Sequence, residues 1–122
     1  MSLQIEDRGF AEARDFRRER LMVAFVTSLV AMMMDVPPRE IEARRRTTAA
    51  AARARQTAIY LIHIVLGWPM WRAAAAFGRD RTTASHAVQL IEDLREDARF
   101  DARLSSMEAC VRQAAEAPEA RP

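Results

Sequence analysis

Residues 77–87 read FGRDRTTASHA, a glycine and a charged pair set before two threonines. The glycine closes a short helical stretch over about residues 69–77. Asp80 suits the N-cap of a second helix running to about residue 98, because its carboxylate can accept a hydrogen bond from a free N–H of the first turn. Two helices joined by a short glycine-bearing turn follow the local grammar of a helix-turn-helix. The faces of the second helix separate cleanly. Ala84, Ala87, Val88, Ile91 and Leu94 recur at three and four residues and form an apolar stripe. Thr82, Ser85, His86 and Gln89 form another face, and acids appear only from Glu92 onward. That face either approaches a polyanion or meets water.

Working outward, every segment between breakers carries a helical period, and none alternates with the period of a strand. A long helix is expected over about residues 12–34, with Phe16, Leu21, Phe25, Leu29 and Met33 near one stripe. Asp35 and two prolines end it and cap a short helix near residues 39–44. A basic connector then leads into a helix over about residues 50–66. Its Ala54, Ala58, Leu61, Ile62 and Val65 face inward, and Gly67 serves as a left-handed stop. A sixth helix is expected over about residues 101–117. The expected fold is therefore all-α with about six helices, in one domain's length of 122 residues.

Composition removes several function classes. All 19 basic residues are arginine, and a phosphate-cradling GxxxxGK loop needs a lysine, so no nucleotide site is expected. His63 and His86 have no cysteine or carboxylate at metal-ligand spacing. His63 lies in the apolar run YLIHIVL and reads as a packed or boundary histidine. The single Cys110 cannot form an internal disulfide, which fits a reducing compartment. The longest apolar run, residues 21–34, is too short to cross a bilayer. The expectation is a cytoplasmic protein without enzyme activity, metal, cofactor, nucleotide or membrane.

The distribution of charge says more than the net +2. Residues 39–91 carry nine arginines against three acids, residues 1–20 carry five of each, and residues 92–122 carry five arginines against eight acids. A coding bias toward arginine would spread it evenly. A basic centre between neutral and acidic ends fits a polyanionic partner or a solvated face.

The run ARQTAIYLIHIVLGWPMWRAAAAFGRDRTTASHAVQLIEDLRED, residues 54–97, resembles the C-terminal DNA-binding domain of the bacterial chromosomal replication initiator DnaA. That domain carries a stretch like PRQ-x-A-x-Y-L and, later, FGGRDHTTVxHA. VAFVTSLVAMMMDVPPREIEARRR, residues 23–46, resembles its opening helix and arginine-rich connector. The likeness covers about residues 20–104, leaving a charged arm or helix extension over 1–19 and a C-terminal helix and tail over 105–122. It implies a Trp-repressor-like helix-turn-helix with its second helix in the major groove of double-stranded DNA. Arg55 falls where the family's minor-groove arginine stands, and Asp80, Arg81, Thr82 and Thr83 fall on base-reading positions. His86 falls near the phosphates. Arg44, Arg45, Arg46, Arg72, Arg79, Ser85 and Gln89 complete the expected backbone contacts.

The sequence departs from the family at three places. It has one glycine where the family usually has two, Arg81 where the family has histidine, and Leu90 where a basic residue often lies. It also lacks the ATPase domain, so a free-standing transcriptional regulator is expected, such as an activator of a phage-like gene cluster. A second regulator or an RNA polymerase subunit is a further expected partner. The rival readings are a protein-interaction adaptor or replication-initiation modulator that keeps the fold without reading sequence, and a non-specific DNA coat. Trp68, Trp71 and Met32 to Met34 are expected in the core rather than on a partner surface.

Overall fold

A computed structural model describes the backbone of residues 2–45 and 47–118, and the side chains of residues 15–45 and 47–118. Six helices follow in order: α1 Ser2–Met34, α2 Pro38–Glu42, α3 Ala49–Ile64, α4 Met70–Ala75, α5 Arg81–Leu94 and α6 Ala98–Glu116. No strand occurs among the described residues. The central helix is α3, with Ala51, Ala54, Ala58, Ile59, Tyr60, Leu61 and Ile62 all buried. Helices α1 and α5 pack on it, and α6 lies antiparallel to α1. Arg18 donates to the carbonyl of Ala115 at 2.7 Å near one end of that pair, and Arg103 donates to the carbonyl of Met33 near the other. Leu104, Met107 and Val111 bring α6 into the same core as α5's Ala84, Ala87 and Ile91.

Four expectations are corrected. First, α1 begins at Ser2, about ten residues before the expected start. The only breaker there is Gly9, and one glycine costs a helix about 1 kcal/mol relative to alanine. Residues 2–19 are therefore a helical extension continuous with the rest of α1.

Second, the stripe assigned to α1 is largely outside the core. Phe16, Leu21 and Phe25 are exposed, while Val26, Leu29, Val30 and Ala31 are buried. From residue 21 onward α1 is apolar on more than one face, so α3 and α6 select the buried face, not the period. Met32, at 73% exposure, and Trp71, at 60%, also lie outside the core that was expected to hold them.

Third, Asp35 does not cap α2. It adopts φ +54 and ends α1, with the Val36 N–H donating to the Ala31 carbonyl at 3.0 Å. Aspartate tolerates that left-handed conformation better than most side chains. Pro37 precedes α2 with no side-chain cap bond.

Fourth, α5 stops at Leu94 rather than near residue 98. Asp97 takes the N-cap of α6, accepting from the N–H groups of Arg99 and Phe100 at 2.9 and 3.0 Å. A capping aspartate marks that break without glycine or proline.

A polar cluster locks the junction of α3, α5 and α6. Arg95 donates to Asp101 at 2.6 Å, to Glu108 at 2.9 Å and to the Tyr60 hydroxyl at 2.9 Å. Tyr60 in turn donates to Glu92 at 2.9 Å. The Glu108 carboxylate, above all, raises the proton affinity of Arg95 beyond that of an ordinary arginine. At the far end of α3, Gly67 adopts φ +73, and His63 Nδ1 lies 2.7 Å from the Trp68 carbonyl, making it a boundary histidine tied to the turn.

Candidate nucleic-acid interface

The turn between α4 and α5 is closed by backbone geometry. The Arg79 N–H donates to the Ala74 carbonyl at 2.9 Å and the Gly78 N–H to the Ala75 carbonyl at 3.0 Å, with Gly78 at φ +66. This pair of bonds around a left-handed residue is a Schellman ending. One glycine suffices for it. Two residues later Asp80 caps α5, its Oδ1 accepting from the Thr83 N–H at 2.9 Å and the Thr83 hydroxyl at 3.0 Å. Those bonds, the backbone one foremost, hold the carboxyl below the usual carboxylate range.

With Ala84, Ala87 and Ile91 inward, the outer side of the first turns of α5 presents Arg81, Thr82, Thr83, Ser85 and His86, all exposed. Arg81 has no hydrogen bond or ion pair among the described residues. Gln89, also exposed, is turned down the helix and donates to Asp93 at 3.0 Å. The outer face thus changes sign along its length, carrying no acid between Arg81 and Leu90.

The structure brings the basic connector to this turn. Arg79 donates to the Phe77 carbonyl at 2.7 Å and, across the gap, to the Ala43 carbonyl at 3.1 Å. Arg44 lies over Gly78 so closely that a Cβ there would stand 3.3 Å from its Nε. Arg44 and Arg45 are both exposed, and Arg44 lies beside the turn that leads into α5. Arg46 lies outside the described residues.

Arg55 and Arg72, also expected as DNA contacts, are engaged within the fold as well. Arg55 is only 8% exposed, and its guanidinium donates to the Ile41 carbonyl at 2.8 Å, the Glu40 carbonyl at 3.0 Å and the Thr47 hydroxyl at 3.3 Å. Burial lowers its proton affinity below that of an ordinary arginine, and the nearby charge of Arg79 adds to this. In this conformation it does not face outward, because carbonyls of α2 hold it within the fold. Arg72 stacks on the Trp68 indole at 4.1 Å from the ring centroid and pairs with Glu19 of α1. Its partners belong to α1 and the turn before α4, not to the connector.

Sequence reasoning therefore missed the internal use of Arg55 and Arg79. For Arg55 a signal existed. It stands in register with Ala51, Ala54, Ala58 and Ile62, the spacing of the inward face of α3. For Arg79 nothing in the local pattern distinguishes a bridging arginine from a solvated one.

Residues 23–91 match the family described as the bacterial DnaA protein helix-turn-helix. The chain belongs to that family. Its fold is also similar to a crystal structure of a DNA replication initiation factor, with a TM-score of 0.75 and 27% identity over 90% of this chain and 34% of that one. The chain thus spans about a third of that protein's length. A search of curated proteins by sequence gave no match. Helix α4, the turn over residues 76–80 and the first eleven residues of α5 all lie within the matched stretch. Among the described residues no group of three or more His, Cys, Asp or Glu is placed to hold a metal ion. No helix of the described residues is long and apolar enough to cross a membrane.

Proposed function

We propose that this chain is a sequence-specific, double-stranded DNA-binding protein acting as a transcriptional regulator in the cytoplasm, on the nucleoid. One observation carries the reading: the acid-free start of α5 and the exposed arginines of the connector meet at one end of the fold, joined through Arg79 and Gly78. Membership of a bacterial DnaA helix-turn-helix family supports it. Helix α5 enters the major groove by its N-terminal end, where free N–H groups and the helix dipole favour an anion. Arg81 makes a bidentate contact with guanine, and the methyls of Thr82 and Thr83 pack on thymine. The second oxygen of Asp80 accepts from a cytosine amino group. Arg44, Arg45, Ser85 and His86 hold phosphates, which set register without selecting sequence. The arginine in place of the family's histidine at residue 81 shifts preference toward guanine, so the DNA box of the initiator itself is not the expected target.

Genome-wide mapping of bound DNA tests this reading and the narrower role of activating a phage-like gene cluster. A recurrent short motif upstream of a co-regulated cluster supports both. Binding spread evenly over the chromosome indicates a non-specific coat.

A second reading rests on Leu21, Phe25 and Met32, exposed at spacings of four and seven along α1. Such a stripe suits contact with a second regulator or an RNA polymerase subunit. Leu21→Ser with Phe25→Ser is expected to abolish activation of the target promoter while leaving DNA affinity unchanged. Parallel loss of both assigns the stripe to folding instead.

A further inference from the structure

We infer that Arg55 and Arg79 are positioning residues that fix both ends of the connector, residues 43–47, so that Arg44 and Arg45 meet the DNA backbone at a set distance from Arg81. In this chain Arg55 does not itself read bases. The inference rests on the DNA-binding reading above and adds how its two halves are held together.

The geometry is that of a double brace. The single Arg55 guanidinium joins Glu40 and Ile41, before the connector, to Thr47, at its end. Arg79 then ties Ala43 to Phe77 in the helix-turn-helix turn. The connector lies between α2 and α3, outside either helix. Without the braces it would hold several alternative conformations, and ordering them on binding would weaken affinity. With them, Arg44 is already laid across Gly78. Two cations held close together repel, and the four carbonyls that accept from them offset this. The planar guanidinium is suited to the task because it donates in several directions at once, which a lysine ammonium on a flexible stem does not reproduce.

The test compares wild type with Arg55→Gln, Arg55→Lys and Arg79→Gln in the full chain, at a temperature where thermal melts find each folded. Amide hydrogen exchange of the unbound proteins reads the brace directly. Exchange over residues 43–47 is expected to accelerate in all three variants, by about tenfold or more. Sequencing of DNA selected from random duplexes reads the bases. The preference at every position is expected to be unchanged, while affinity for any duplex falls by about tenfold, as when a preorganised segment must be ordered on binding. Arg55→Lys is expected to resemble Arg55→Gln, because the fork and not the charge is needed.

Preference lost at one or two adjacent base pairs in the Arg55 variants, with exchange unchanged, would make Arg55 a base reader and overturn the inference. A near-wild-type Arg55→Lys overturns it as well. If wild type binds no DNA, the functional reading fails, while the exchange measurement alone decides whether the braces exist.

Discussion

Arginine is used in opposite ways at the two ends of α5. At its start, Arg81 stands exposed and unpaired among the described residues, with Arg44 and Arg45 exposed on the adjoining connector. Just past its end, Arg95 is enclosed by Asp101, Glu108 and Tyr60. The side chain is the same, and its neighbours decide the role. Among carboxylates it joins helices, among backbone carbonyls, as with Arg55 and Arg79, it braces a loop, and alone it is left for a partner. Segregated charge in the sequence hinted at this division, but only the positions of the acids in space assign each arginine to a class.

The strongest way to break the comparison is to remove the cation from the enclosed end. Arg95→Met leaves the acids facing one another across α5 and α6. The cluster is partly solvated, so the cost is discounted from that of a fully buried pair to about 2–3 kcal/mol. Denaturant unfolding checks the loss, and DNA affinity per folded molecule is expected to be unchanged. If affinity falls with stability intact, the division between the two ends is wrong.

At the open end the same substitution class reverses its signature. Arg81→Ala is expected to leave stability within about 0.5 kcal/mol of wild type, as for exposed surface sites. It weakens binding to the preferred duplex by about 1–3 kcal/mol while barely affecting unrelated duplexes. Arg45→Ala is expected to weaken binding to all duplexes alike and to reduce the magnitude of the salt slope by about 1. Electrophoretic shift assays over a salt series separate the two. Uniform loss in Arg81→Ala would assign that residue to phosphates.

The open end was the more legible region in sequence, for physical reasons. Short helices with one apolar face leave a single solution. In α5, Ala84, Ala87 and Ile91 are fully buried, Val88 and Leu94 are half-buried against the same core, and Asp80 and Gly78 mark start and turn by side-chain and backbone chemistry that acts locally. Helix α1 gave no such unique answer. Its apolar residues surround it from residue 21, and which of them are buried depends on α3 and α6, which lie far away in sequence. Arg55 was obscured by the resemblance: its register placed it inward, yet the family pattern assigned it to the minor groove. The α5 to α6 break depended on Asp97 rather than one of its acidic neighbours taking the N-cap, with Phe100, Leu104 and Met107 of α6 packed in or against the core.

The smallest effects come from protons, and they differ in sign between the two ends. At the open end, the lowered Asp80 carboxyl contributes a cap that is fully present above the ordinary carboxylate range and is lost as pH falls through its lowered value. Exchange at the Thr83 amide is expected to accelerate there in wild type, and Asp80→Asn, which can still cap, removes most of that pH dependence. At the enclosed end, burial first of all pushes the Tyr60 hydroxyl upward, with Glu92 adding to the rise and Arg95 opposing it. Its contribution is fully present below the ordinary tyrosine value of about 10 and is lost as pH rises through the raised one, because the unfolded chain ionises first. The stability difference between wild type and Tyr60→Phe is therefore expected to be flat up to about pH 10 and to shrink above it. A difference that instead grows with pH would mean that the Arg95 charge outweighs burial and stabilises the phenolate, and the enclosed end would then be wetter than its geometry indicates.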